Sequence, residues 1–175
     1  MTFAAITIAL CILFEAFFSG AEIALIAADK VRLRRRAEID ERRRRAILSF
    51  LDDPSELIST SLVGTSICVV LSSVVATLAF IGEHPRQAEL LSLAVVTPLV
   101  LICGEIVPKS IFQSHADRVA PRAIIALWFF RTLFFPIVAL GTWLSNLFLR
   151  FVGLEEQQPS LMTRKELQLL LRFPD

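Results

Sequence analysis

The sequence predicts an all-α integral membrane protein, with three transmembrane helices followed by a proline-broken pair of juxtamembrane helices. Three observations carry this expectation. Of 175 residues, 55% are hydrophobic, and the mean hydropathy is +0.65, well above that of a soluble domain of this size. The apolar residues fall in runs long enough to cross about 30 Å of hydrocarbon, which takes about 20 helical residues. Formal net charge is only +1, yet the arginines crowd into one segment, which marks that segment as cytoplasmic.

The first span is expected over about residues 2–28. It lacks a basic leader and is too long for the core of a cleaved signal, so it reads as a retained helix with its N-terminus outside. Glu15, Ser19 and Glu22 recur at i, i+4 and i+7. That spacing sets two acids and a hydroxyl on one face, which must turn away from lipid, although Glu22 alone can equally snorkel to the interface. Gly20 lets another helix approach closely. Residues 29–53 hold the arginine cluster and are expected to form a cytoplasmic loop. Because the basic run between Arg34 and Arg45 is interleaved with Glu38, Asp40 and Glu41 and abuts a span, its expected counter-charge is anionic lipid headgroups and not nucleic acid.

A second span is expected over about residues 54–81, opened by Asp53 as N-cap and Pro54 at the first helical position, where its missing N–H is not needed. Gly64, Thr65, Ser66, Ser72, Ser73 and Thr77 inside it imply close packing, a polar lining, or both. After a short outer turn containing His84 and Pro85, the third span is expected over about 88–113.

That third span contains the stretch hardest to explain as packing: Leu101-Ile102-Cys103-Gly104-Glu105-Ile106-Val107-Pro108-Lys109-Ser110. Proline has no N–H, so the carbonyl four residues earlier, that of Gly104, loses its helical donor beside the Glu105 carboxylate. In hydrocarbon both groups are costly unless satisfied, and a bound cation satisfies both. The structural alternative is a Glu105–Lys109 pair beside a packed kink. With the N-terminus outside and a rise of about 1.5 Å per residue, Ser19, Thr65 with Ser66, and Glu105 reach one depth, nearer the inside. Their convergence on one buried site is therefore expected.

Residues of about 121–152 are apolar but contain Arg131 and Pro136. Pro136 is expected to split them into two interfacial helices too short to cross, the alternative being a true fourth span that would place the tail outside. The membrane domain is thus expected over 1–152. Residues 153–175 are expected to form a linker and, from a Thr163–Glu166 capping box, the first turns of an amphipathic helix leading to an absent cytoplasmic regulatory domain. The three cysteines, Cys11, Cys68 and Cys103, have no paired spacing and read as small core residues. No histidine falls in a span centre, so the chain is expected not to be an enzyme.

Three stretches carry a family resemblance: Phe17-Phe18-Ser19-Gly20-Ala21-Glu22-Ile23-Ala24-Leu25, Gly64 in the second span, and Gly104-Glu105-Ile106-Val107-Pro108-Lys109-Ser110. Together they resemble the transmembrane domain of the CorC / cyclin M (CNNM) family of magnesium transporters. The resemblance implies a homodimer of three-span subunits in the cell membrane, multi-pass, with the C-terminus cytoplasmic. It also implies nucleotide binding only through absent C-terminal domains. Carried over residue by residue, it implies an ion site of Ser19, the Gly104 carbonyl and the Glu105 carboxylate, with Thr65 and Ser66 where the family has asparagines, and Val69 where a further one is common. Gly20, Glu22, Gly64, Pro108 and Lys109 are supporting residues in this reading. The implied function is inward-facing, secondary active magnesium transport, with sodium as the suggested coupling ion. The alternative is a non-transporting magnesium sensor that signals to attached cytoplasmic domains.

Overall fold

Helix α1 (Thr2–Ala27) opens the fold. The structure is a computed structural model and describes residues 2–39, 41–82 and 86–152. After α1 come α2 (Lys30–Ile39), α3 (Glu41–Asp52), α4 (Pro54–Ile81) and α5 (Ala88–Leu99). A π-helical stretch, Val100–Ile106, then joins α5 to α6 (Val107–Ser114), and α7 (Ala116–Val152) comes last. The described residues contain no strand, so the protein is all-helical. It forms two compact units, residues 1–138 and 139–175. The second, described as far as Val152, contributes the last turns of α7, with Leu140, Trp143, Leu144, Leu147 and Phe148 exposed.

In the first unit, α1 packs on α4, on the π-helical stretch and on α6. Large apolar side chains such as Phe3, Leu13, Leu78 and Leu90 face outward, the arrangement of helices whose solvent is lipid. Close approach of α1 and α4 depends on Gly64, where a Cβ would stand 2.7 Å from the Phe18 ring. Phe18 also meets Phe130 and Phe134 of α7, with ring centroids 5.0 and 6.0 Å away. Asp53 begins α4 with extended backbone and accepts from the Ser55 N–H at 3.0 Å, which satisfies one of the donors left over at a helix start.

The arginine-rich segment, expected as a loop, forms two helices. Leu33 and Ala37 of α2, and Ala46, Ile47 and Phe50 of α3, are buried. These apolar residues lie one turn apart within each helix, while Arg32, Arg34, Arg35, Arg36, Arg44 and Arg45 are exposed.

The expected break at Pro136 does not occur. Helix α7 runs unbroken through Pro121 and Pro136. A proline removes one hydrogen bond, here to the Thr132 carbonyl, while the bonds on either side persist and hold the helix in an apolar setting. Among the described residues, four helical segments are long and apolar enough to cross a membrane: Thr2–Ala27, Pro54–Ile81, Ala88–Ser114 and Ala116–Gly141. The last is one more candidate than the three expected. The first turns of α7 are tied to the end of α1, since Asp117 accepts from the Asp29 N–H at 3.1 Å and from Arg32 Nη1 at 2.9 Å. Arg131, further along α7, pairs with Glu56 at the start of α4. The expected linker and capping box at 153–175, and His84 with Pro85, lie outside the described residues.

Candidate functional site

Most hydroxyl groups in the spans are satisfied on their own helix. Thr60, Thr65, Ser73 and Thr77 each donate to the carbonyl four residues back, and Ser61 to the carbonyl three back, the usual solution for a hydroxyl inside a helix. Against that pattern a few groups stand out. Both carboxylate oxygens of Glu15, the Ser19 hydroxyl and the Ser72 hydroxyl are buried with no hydrogen-bond partner among the described residues. Glu15 and Ser19 are 0% exposed. A buried polar group normally has a partner, and one without requires an explanation.

What stands beside Glu15 is the interrupted helix. Gly104 is buried, and a Cβ there would lie 2.7–2.9 Å from the carboxylate atoms of Glu15, so only glycine lets the carboxylate rest against this backbone. The helix is interrupted because the Val107 N–H bonds the Ile102 carbonyl, five residues back instead of four. In that register the next donor belongs to Pro108, which has none, and the carbonyl deprived is that of Cys103. In an α register it is that of Gly104. Either way, a carbonyl at Cys103–Gly104 lacks its regular helical donor.

Glu105 points elsewhere. It lines a cavity of about 420 Å³ with Glu22, Thr65, Ser66, Val69 and Lys109. Among the described residues, neither Glu105 nor Lys109 forms an ion pair, so the structural alternative of a Glu105–Lys109 bridge is not what this structure contains. Thr65 is half-buried and its proton goes to Ser61, leaving its lone pairs free, while Ser66 is exposed.

The residues singled out in the sequence thus fall in two adjoining places. Gly104 adjoins the buried Glu15 carboxylate, and Ser19 is buried one turn further along α1. Thr65, Ser66, Glu22, Glu105 and Lys109 share the open cavity. Gly104 and Glu105 are consecutive and join the two. Gly20 supports the arrangement from α1, where a Cβ would press on the Phe112 ring of α6 at 2.7–2.9 Å, and Gly64 does so from α4. Sequence reasoning sets Glu15 on the inward stripe without making it a ligand. Its i, i+4 spacing to Ser19 is the available signal. Ser72 reads in the sequence only as a packing or lining residue. Among the described residues, no three His, Cys, Asp or Glu side chains cluster as for a metal. The donors present are carboxylate, hydroxyl and carbonyl oxygens.

A bundle of apolar helices with buried, unpartnered carboxylate and hydroxyl oxygens, one set against an interrupted helix, defines a class: multi-pass membrane proteins with polar groups inside the bundle. The chain belongs to a family within it, the cyclin M transmembrane N-terminal domain, whose model matches residues 6–173. It is similar to a UPF0053 protein of Haemophilus influenzae, 26% identical over 95% of this chain and 40% of that protein. It is also similar to a UPF0053 protein of Synechocystis sp., 29% identical over 91% of this chain and 39% of that one. A third relative is the UPF0053 inner membrane protein YfjD of Escherichia coli, 26% identical over 81% of this chain and 33% of that one. The chain therefore spans well under half the length of these relatives.

Proposed function

We propose that this chain is the membrane portion of a divalent-cation transporter whose cargo is magnesium. The observation that carries the reading is the buried Ser19 hydroxyl, without a partner among the described residues, one turn along α1 from the Glu15 carboxylate that rests against the interrupted helix at Gly104. In a bilayer, backbone and side-chain oxygens left unsatisfied mark an ion path. Family membership supports the same reading, since the sequence resembles magnesium transporters.

In this reading Ser19, the backbone carbonyls at Gly104 and the Glu105 carboxylate hold the ion, and Thr65 and Ser66 contribute lone pairs from the cavity side. A donor set of oxygens suits a hard cation that seeks about six oxygens at about 2.1 Å, and it lacks the thiolate and imidazole ligands that favour zinc or copper. Few fixed charges allow release as well as entry. Transport is secondary active, with sodium as the coupling ion. The functional unit is a homodimer with an outer N-terminus and cytoplasmic C-terminus, its Arg34–Arg45 segment facing anionic headgroups, and with nucleotide acting only through cytoplasmic domains outside this chain.

The test is calorimetric magnesium binding to the detergent-purified chain, comparing wild type with Glu105→Ala and Ser19→Ala, followed by magnesium flux into reconstituted vesicles. Saturable binding that Glu105→Ala abolishes supports the site. Binding indifferent to Glu105→Ala overturns it. Binding without flux assigns the protein to magnesium sensing.

A further inference from the structure

The transporter reading places one carboxylate, Glu105, on the ion. The structure contains a second that it does not use. Glu15 is 0% exposed with both carboxylate oxygens lacking any partner, and one turn further along α1 the Ser19 hydroxyl is in the same condition. Of these two groups, the Glu15 carboxylate rests against the part of the third span whose regular helical hydrogen bonding is interrupted. Gly104 admits the carboxylate against its backbone, with 2.7–2.9 Å between the carboxylate atoms and the site of the missing Cβ. Glu105 is the next residue in sequence.

We propose that Glu15 is itself a cation ligand, and that Glu15, Ser19 and the Cys103–Gly104 carbonyls form an enclosed site, completed by Glu105, that takes a dehydrated divalent cation. This rests on the transporter reading and adds to it a ligand and a choice of charge. The candidate occupants can be eliminated in turn. An empty site leaves the Glu15 carboxylate and the Ser19 hydroxyl unsolvated, an arrangement that a low-dielectric interior tolerates poorly. A single proton on Glu15 removes one charge but adds an O–H donor, and no acceptor lies within hydrogen-bond distance of either oxygen. A monovalent cation leaves one negative charge uncompensated. A divalent cation neutralises both carboxylates and gives every orphaned oxygen a partner at once. The donors are all hard oxygens, and one from each carboxylate, one hydroxyl and one or two carbonyls approach the near-octahedral count that magnesium requires. Water need supply only the remainder.

The experiment is magnesium titration of the detergent-purified chain by calorimetry, with thermal melting in the absence and presence of magnesium, on wild type, Glu15→Gln, Glu15→Asp and Glu105→Gln. If Glu15 is a ligand, Glu15→Gln weakens magnesium binding by about tenfold or more and erases most of the magnesium-induced rise in melting temperature. Without magnesium, its melting temperature equals or exceeds that of wild type, since the unpaired buried charge is gone. Glu15→Asp keeps the charge but withdraws it from Gly104, and gives an intermediate loss. A purely structural role gives the opposite pattern, a lowered melting temperature without magnesium and unchanged affinity, and overturns the proposal. If Glu15→Gln binds like wild type while Glu105→Gln does not, Glu15 is no ligand and the transporter site stands without it. If wild type binds no magnesium, both readings fall together.

Discussion

Gly64 and Gly104 show how single positions set the geometry of this protein. At each, the space a side chain would take is filled by a neighbour from α1, the Phe18 ring at Gly64 and the Glu15 carboxylate at Gly104. Gly64→Ala forces the ring aside within an aromatic cluster that includes Phe130 and Phe134. The expected loss is about 1–3 kcal/mol, the range for overpacking, read as a lowered melting temperature in detergent. An unchanged melting temperature would mean that α1 and α4 are looser than described. Gly104→Ala acts on the carboxylate and is expected to weaken magnesium binding more than it lowers stability. Residues of this kind were legible in the sequence because a glycine, an acid and a proline in an apolar run have few structural explanations. The partnership of Glu15 with Gly104 was not legible. It depends on how far α1 slides along the third span, and no periodicity within either helix encodes that register.

At the scale of elements, the third span is two helices of different register joined by the π-helical stretch, and Pro108 maintains the join. Pro108→Ala supplies the missing N–H and favours a continuous α-helix. The expected outcome is a melting temperature equal to or above that of wild type, with magnesium affinity reduced about tenfold; affinity at the wild-type level would show that the interruption does not shape the site. Asp53→Ala tests a simpler device, the cap on α4. Its removal should lower stability by about 1 kcal/mol and leave magnesium affinity unchanged. The start of α4 could be read from the sequence because capping is local. The helices within the arginine-rich segment were missed because their buried faces are only two or three residues wide and are masked by charge. Pro136 misled for a different reason. A proline is a strong signal for a break near water, where the freed backbone can hydrate, and a weak one in a long apolar helix that has nothing better to bond.

For the whole molecule, orientation is set by where the charges lie, and labelling can check it. In a cysteine-free background, Glu41→Cys is expected to react with a membrane-impermeant thiol reagent only from the cytoplasmic side, and Phe3→Cys only from outside. The reverse pattern would invert the topology proposed for the transporter. A polar tie joins α7 to α4. Glu56→Gln, which leaves Arg131 without its partner on α4, is expected to lower stability by about 1 kcal/mol, the scale of a half-exposed ion pair, with magnesium binding intact. The π-helical stretch has a consequence of another kind. It accommodates one residue more than an α-helix would, and each added residue rotates the rest of the helix by about 100°. Phe112, which packs over Gly20, keeps its place on α1 only while that residue count holds. Between Val100 and Ile106 the chain is therefore constrained in length more tightly than in composition. Exchanges of one apolar side chain for another at Leu101 or Ile102, both exposed, should be tolerated, whereas deletion of either residue would rotate the whole of α6 away from α1.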